Sequence, residues 1–99
     1  MAEKEQAERA QRHLWIEGKV QGVWYRAWTE REATAHGLDG WVRNRSTGAV
    51  EAVLAGPPTQ VTAMITACHD GPPDALVTDI RVSDYAESVG TGFSVRDTA

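Results

Sequence analysis

The stretch HLWIEGKVQGVWYRAW, residues 13–28, loses its hydrophobic alternation part-way along, and this change predicts the first two elements of the fold. Over residues 13–20 the apolar side chains alternate, which places Leu14, Ile16 and Val20 on one face. Such a period of two is typical of a half-buried strand. The alternation stops at a segment that contains glycines, where we expect a loop and then a helix.

The predicted helix covers about residues 23–36, so that an arginine, Arg26, lies in its first turn. A cation there faces the positive end of the helix dipole, which is mildly unfavourable. The N–H groups at a helix start lack intrahelical partners and can bind an anion, while Gly22 lets a ligand approach the backbone closely. A phosphate group would bind both the amides and the guanidinium. The alternative is a surface Arg26 paired with Glu30, four residues later.

The rest of the chain alternates between strand and helix patterns. The predicted elements are strands over residues 41–45 and 49–54, a helix with Thr59 as its N-cap, a strand over 76–82 and an edge strand over 93–95. In the strand over 76–82, we expect Leu76, Ile80 and Val82 to point inward. The order β-α-β-β-α-β predicts an α+β, ferredoxin-like sandwich, with a mostly antiparallel sheet and both helices on one face.

Asn44 is the second candidate site residue, at the end of the predicted strand over 41–45 and on the same face as Val42. An asparagine at a strand end is commonly a turn residue that bonds to nearby backbone. Its amide also carries both a donor and an acceptor, so it could hold a water molecule in a defined orientation. The residues alone leave both interpretations open.

Composition and charge exclude several classes of protein. With 99 residues, of which 41% are hydrophobic and 24% charged, the chain is typical of one soluble globular domain. The net charge of −4 argues against a nucleic-acid partner. Among the basic residues only Arg81 and Arg96 follow residue 45, and basic residues near the glycine-containing loop suit a small anion. No apolar run approaches the ~20 residues of a membrane span, and no secretory signal is present.

We therefore expect a cytoplasmic protein without a membrane partner. Residues 1–12 are charged and lack large apolar side chains, which predicts a flexible extension, with one domain over 13–99. Nothing suggests an obligate assembly, so a monomer is expected. Cys68 lies on an apolar helical stripe and is predicted to be a core residue. The histidines lack metal-ligand spacing, and the tryptophans are expected to pack around the first helix and over the sheet.

Three segments, GKVQGVWYR, GLDGWVRNRSTGAVEAVLAG and GPPDALV, together resemble the acylphosphatase family. The match is in order and covers about residues 14–82, and the first two motifs are long and specific. The resemblance implies a ferredoxin-like fold with strand order 4-1-3-2. It also implies hydrolysis of small acyl phosphates to a carboxylate and inorganic phosphate, without metal or cofactor.

The same resemblance implies roles for individual residues. Arg26 would bind the phosphate as a catalytic residue, and Asn44 would orient the attacking water. The implied phosphate-binding set is Gln21, Gly22, Val23, Trp24, Tyr25 and Arg26. Tyr25 departs from the phenylalanine that most family members carry, and Thr47 replaces a frequent acidic or asparagine turn residue. Neither change removes a functional group, so we expect both to affect packing only.

Two other hypotheses compete with a free-standing acylphosphatase. One is a non-catalytic or channelling module that binds a carboxyl or carbamoyl phosphate, as in hydrogenase-maturation proteins, where zinc-binding cysteine pairs and further domains follow. This chain has a single cysteine. The other is a ferredoxin-like domain that binds nucleic acid, which would favour a basic surface and paired aromatic residues on the central strands. The acidic balance favours the enzyme.

Overall fold

The computed structural model describes residues 9–99, so residues 1–8 of the predicted flexible extension lie outside the described residues. The described part contains five strands and two helices. In chain order they are β1 (Ala10–Lys19), α1 (Tyr25–Ala35), β2 (Asp39–Asn44), β3 (Val50–Gly56), α2 (Pro58–Asp70), β4 (Leu76–Asp84) and β5 (Phe93–Val95).

All five strands form one sheet, in the order β4-β1-β3-β2-β5. The strand β1 pairs antiparallel with both β3 and β4, and β2 pairs antiparallel with β3. The short strand β5 is the exception, because it pairs parallel with β2. This confirms the α+β, ferredoxin-like prediction, with its order 4-1-3-2 and its edge strand over 93–95.

The core lies between one face of the sheet and the two helices. The sheet contributes Leu14 and Ile16 from β1 together with inward residues of β2 and β3, and all are buried. The helices contribute residues that are equally buried: Tyr25, Ala33, Val61, Met64 and Cys68. Both helices therefore cover the same face, as predicted, and Cys68 is a core residue.

The first strand is longer than its sequence pattern predicts. It begins at Ala10 instead of His13, because Ala10 and the two residues after it pair with the end of β3. Ala10 is itself buried, and Arg9 forms an ion pair with Asp39 at 2.9 Å. The prediction of a flexible extension over residues 1–12 is therefore wrong for residues 10–12.

Both helices begin at different residues from those predicted. Helix α1 begins at Tyr25 and not near Val23, because Trp24 has a left-handed backbone conformation with φ of 68° and cannot continue a right-handed helix. Helix α2 begins at Pro58, where the fixed φ of proline suits the first helical position. Thr59 therefore lies inside the first turn, and its predicted role as N-cap is wrong.

A bulge changes which face the residues of β4 occupy. Opposite the end of β1 the register shifts, so that Thr78 is an extra residue without a partner. Because side chains alternate along a strand, the extra residue places Val77 against the core and leaves Leu76 66% exposed. Val82 is 44% exposed on this edge strand. Of the three side chains predicted to point inward, Ile80 packs against the core, and Leu76 and Val82 are exposed.

Candidate active site

The strand order brings the glycine loop, residues 21–24, close to Asn44. Strands β1 and β2 are both antiparallel to β3, so they run in the same direction and end at the same edge of the sheet. Asn44 pairs with Val50 of β3, and Val50 pairs with Ile16 of β1. Two strand spacings separate Ile16 from Asn44 in this register, which is about 10 Å. The loop that follows β1 therefore begins beside the end of β2.

The backbone of the glycine loop has N–H groups available for a ligand. Within residues 9–99, no backbone amide from Gln21 to Ala27 donates a hydrogen bond to another protein group. Gly22 has φ of 74°, which glycine adopts without strain. A series of free amides that ends at the start of α1 forms a site suited to an anion.

Arg26 is the second residue of α1 and is partly buried. In the part of the chain that the structure describes, its side chain forms neither a salt bridge nor a hydrogen bond to protein. Arg26 therefore does not form the ion pair with Glu30 that was the alternative prediction. Both side chains line the same cavity, and the guanidinium is available to a ligand.

Asn44 points to the helix side of the sheet, and its side-chain oxygen, Oδ1, is buried. Among the described residues, this oxygen has no hydrogen-bond partner. A buried amide oxygen without a partner costs free energy, on the order of 1–3 kcal/mol. A bound water or ligand that donates to Oδ1 would remove that cost.

The loop, the start of α1 and the end of β2 enclose a cavity of about 470 Å³. Its lining residues are Val20, Gln21, Gly22, Trp24, Tyr25, Arg26, Ala27, Glu30, Asn44 and Val95. The cavity thus brings together Arg26, Asn44 and all but one of the other predicted site residues. Val23 is the exception, since its side chain is buried in the core and does not line the cavity.

Most of the arginines that the sequence gathers near the loop lie elsewhere. Arg43 and Arg45 both bond to Glu51 of β3, at 2.8 and 3.2 Å, and stack on Trp41 and Trp15. These groups occupy the sheet face opposite the helices. Among residues 9–99, Arg26 is the one basic side chain that lines the cavity.

Gln21 connects the glycine loop to the turn after Asn44. Its side-chain Nε2 donates to the backbone oxygens of Arg45 and Ala49, each at 2.8 Å. Both acceptors belong to the β2–β3 hairpin, so the contact fixes the loop relative to Asn44. The family resemblance implies phosphate binding by Gln21, whereas this positioning contact is not predictable from the sequence, because a side chain that crosses to another hairpin leaves no local pattern.

Tyr25 lies beneath the site with its ring in the core. Its hydroxyl donates to the backbone oxygen of Cys68 at 2.5 Å, in the last turn of α2. Burial raises the pKa of the Tyr25 hydroxyl, so it stays protonated. Burial likewise raises the pKa of the Cys68 thiol, to about 12, which makes a nucleophilic thiolate unfavourable there.

Two tryptophans near the site behave differently. Trp28 packs against the core, with its ring 5.4 Å from that of Tyr25, as predicted. Trp24 is 80% exposed, which contradicts the prediction that it packs around α1. Trp24 has a left-handed backbone and lies just before the first residue of α1, so it is not part of the helix; that conformation costs a non-glycine residue about 1–2 kcal/mol.

The remaining lining residues were missed for identifiable reasons. Glu30 follows Arg26 by one helical turn, so the helical spacing places both side chains on the cavity, whereas the sequence prediction includes Glu30 only as an ion-pair partner. Val95 lies on β5, whose parallel pairing with β2 carries it to the same edge as Asn44. A short run of three residues does not reveal its pairing direction, so no signal pointed to Val95.

No group of three or more histidine, cysteine, aspartate or glutamate side chains lies together within residues 9–99 in a way that could hold a metal ion. Two of the histidines have protein partners: His13 contacts Glu51 at 2.6 Å and His36 contacts Gln60 at 2.9 Å. No helix in the described part of the chain has the length and apolar character needed to cross a membrane.

Comparison with known proteins agrees with this geometry. The acylphosphatase family model matches residues 12–95, which is most of the chain. The chain belongs to the acylphosphatase family. An acylphosphatase of Rhizorhabdus wittichii is 47% identical over 98 residues, covering 99% of each chain. One from Rhodospirillum rubrum is 56% identical over 79 residues, covering 80% of this chain and 87% of the relative.

A solved structure supports the same family. The structure of an acylphosphatase from Coxiella burnetii superposes with a TM-score of 0.88 at 30% sequence identity. The superposition covers 94% of this chain and 98% of that one. The family fold therefore extends over nearly the whole described chain, including the glycine loop and Asn44.

Proposed function

We propose that this acylphosphatase-family chain hydrolyses small acyl phosphates to a carboxylate and inorganic phosphate, in the cavity between the glycine loop and Asn44. One observation carries the proposal. The free amides of residues 21–27, the unpaired guanidinium of Arg26 and the unpartnered Oδ1 of Asn44 meet at one cavity. The first two bind an anion, and the third accepts a hydrogen bond from a neutral donor such as water.

Binding of the phosphoryl group uses the positive groups of the cavity. The amides donate to its oxygens and Arg26 meets two of them with its planar fork. A phosphoryl-transfer transition state spreads charge over the equatorial oxygens, so donors that are already in place stabilise it without reorganisation. A bound anion also offsets the unfavourable interaction between the Arg26 cation and the positive end of the helix dipole.

Hydrolysis then requires a correctly placed water. Asn44 accepts a hydrogen bond from this water through Oδ1 and holds it in line with the leaving group. The water oxygen forms a bond to phosphorus as the bond between phosphorus and the carboxylate oxygen breaks. One of the water's protons passes to a phosphoryl oxygen and the other stays on the attacking oxygen, so that the products are a carboxylate and inorganic phosphate. A carboxylate is a good leaving group, which is why no strong base is needed.

Four finer statements belong to the same proposal. The reaction proceeds without metal or cofactor, because Arg26 and the amides supply the positive charge. The protein acts as a monomer, and it acts in the cytoplasm. Its natural acyl phosphate is a small molecule, with inorganic phosphate as the second product.

The test is hydrolysis of acetyl phosphate by purified protein in excess EDTA, followed as release of inorganic phosphate. We expect turnover that the chelator does not change, and none with a phosphate monoester, whose alkoxide leaving group is poor. Folded protein that binds inorganic phosphate without turnover would overturn the proposal and favour the binding module. Activity that EDTA abolishes and Mg²⁺ restores would overturn metal independence.

A further inference from the structure

Trp24 combines two features that folding alone does not favour. Within residues 9–99 it is the one non-glycine residue with a positive φ, 68°. It is also the most exposed of the large apolar side chains, at 80%. Left-handed conformations at residues other than glycine are strained and concentrate at ligand sites. The conformation and the exposure therefore raise the question of what the indole contacts in the working protein.

Its position answers part of that question. Trp24 is the N-cap residue of α1 and lies two residues before Arg26. Its side chain lines the same cavity, together with Val95, which is 40% exposed, and Ala27, which is also exposed. The cavity thus has a polar part, formed by the amides, Arg26 and Asn44, and an apolar rim that remains open to solvent.

The stability of the fold does not account for the indole. In the described part of the chain, the aromatic and cation–π contacts involve Trp15, Trp28 and Trp41, and none involves Trp24. A glycine would adopt the same φ without strain. A tryptophan here gives the folded protein little beyond an apolar, planar surface at the rim.

We infer that Trp24 determines specificity for the acyl group, and that the apolar rim favours acyl phosphates with an apolar, planar acyl substituent over small aliphatic ones. This inference rests on the proposed function, because it takes the phosphoryl group to be bound by the amides and Arg26. A phosphoryl group bound there leaves the acyl substituent pointing out of the polar part of the cavity. The indole face and Val95 are the apolar surfaces available to it at the rim.

The energetic consequence is modest and measurable. Stacking of an aromatic substituent on the indole adds a preference of about 2- to 10-fold beyond simple area burial. An acetyl group has almost no surface to stack, so the indole should contribute nothing to its recognition. The test therefore compares one aromatic and one aliphatic substrate.

The experiment measures kcat/KM for benzoyl phosphate and acetyl phosphate in the wild type, Trp24→Gly and Trp24→Phe. Glycine can adopt the same positive φ without strain, so Trp24→Gly removes the indole and keeps the backbone amide of the loop. We expect the ratio of kcat/KM for benzoyl phosphate to kcat/KM for acetyl phosphate to fall about tenfold in Trp24→Gly, mainly through KM, and to be largely restored in Trp24→Phe. A change in the phosphate-binding loop itself would affect both substrates equally and leave this ratio unchanged. Leu76→Ala, an exposed apolar residue outside the cavity, is the control.

Two outcomes would overturn the inference: an equal loss for both substrates, which indicates a structural role, or no loss for either. A binding experiment distinguishes failure of the Trp24 inference from failure of the proposed function. Calorimetry with benzoylphosphonate and acetylphosphonate, which are not hydrolysed, measures the preference without turnover. If the wild type hydrolyses neither substrate, the proposed function fails, and the phosphonates still decide whether Trp24 selects the aromatic acyl group. Equal affinities of wild type and Trp24→Gly for benzoylphosphonate would contradict the inference.

Discussion

Three residues at this site are in unusual environments: two have polar side-chain groups without a protein partner, and one has a strained backbone. The Oδ1 of Asn44 is buried without a partner, the guanidinium of Arg26 lacks a carboxylate, and Trp24 has a strained backbone. The buried hydroxyls of Tyr25 and Thr29 have partners in the ordinary way, and among the described residues the other buried side-chain atom without a partner is Nε of Arg45. Local rules are therefore broken mainly where a ligand is expected to bind.

Gln21 is expected to act as a positioning residue through its side chain. Its two bonds to the β2–β3 hairpin fix the loop relative to Asn44. Gln21→Glu replaces the donor with an oxygen that faces two carbonyl oxygens, so we expect unfolding free energy to fall by about 2 kcal/mol. We also expect a lower kcat with nearly unchanged phosphate inhibition, measured by thermal unfolding and steady-state kinetics. A Gln21→Ala protein with wild-type kcat would show that the contact does not position the site.

Tyr25 is expected to contribute stability and not chemistry. Its hydroxyl donates to the Cys68 oxygen, one of the carbonyls that α2 leaves without an intrahelical partner at its end. Tyr25→Phe should therefore lower the unfolding free energy by about 1 kcal/mol while kcat stays within about twofold of wild type. Denaturant unfolding measures the change in unfolding free energy, and the hydrolysis assay measures kcat. A large loss of kcat without loss of stability would assign the hydroxyl to the reaction.

At the scale of the elements, one carboxylate connects the three central strands of the sheet. Glu51 of β3 accepts hydrogen bonds from His13 of β1 and Arg43 of β2, on the face away from the helices. Burial alone would raise the pKa of the Glu51 carboxyl, but these two contacts outweigh it and lower the pKa. The carboxylate therefore joins three strands in its ionised form.

This lowered pKa predicts a pH dependence. A carboxyl whose pKa is lower in the folded state contributes stability above its ordinary value of 4.5, and the contribution is lost as pH falls through the lowered value. Glu51→Gln should cost about 2 kcal/mol of unfolding free energy at pH 7, with a difference from wild type that shrinks as the pH falls below 4.5. Urea unfolding at pH 7, 5 and 3.5 measures this. A difference that stays constant with pH would contradict it.

The order and type of the helices and strands were predictable from the sequence, whereas their first and last residues were not. Period-two and helical patterns predicted the order of strands and helices, because those patterns depend only on local burial. The bulge at Thr78 and the extension of β1 to Ala10 depend on pairing between distant strands, which local patterns do not contain. The delayed start of α1 depends on the left-handed Trp24, a conformation that tryptophan rarely adopts.

At the scale of the whole molecule, the family resemblance predicts the candidate site residues, and the topology brings them together. Arg26 and Asn44 follow from motif positions, and the parallel course of β1 and β2 brings them to one cavity. The charge distribution was a poorer guide. The basic residues near the loop predict an anion site, yet Arg43 and Arg45 bond to Glu51 on the opposite face. Charge counts along a sequence do not record the alternation of faces.

The most direct test of the central claim is steady-state hydrolysis of an acyl phosphate in excess EDTA by Arg26→Ala and Asn44→Ala. Arg31→Ala, an exposed arginine of the same helix, is the matched control. We expect Asn44→Ala to lose about 10²–10³ in kcat while inhibition by inorganic phosphate is nearly unchanged. Arg26→Ala should lose most activity and its affinity for inorganic phosphate, and Arg31→Ala should resemble wild type. Folded Asn44→Ala with near wild-type kcat, or folded Arg26→Ala that keeps the wild-type affinity for inorganic phosphate, would contradict the account.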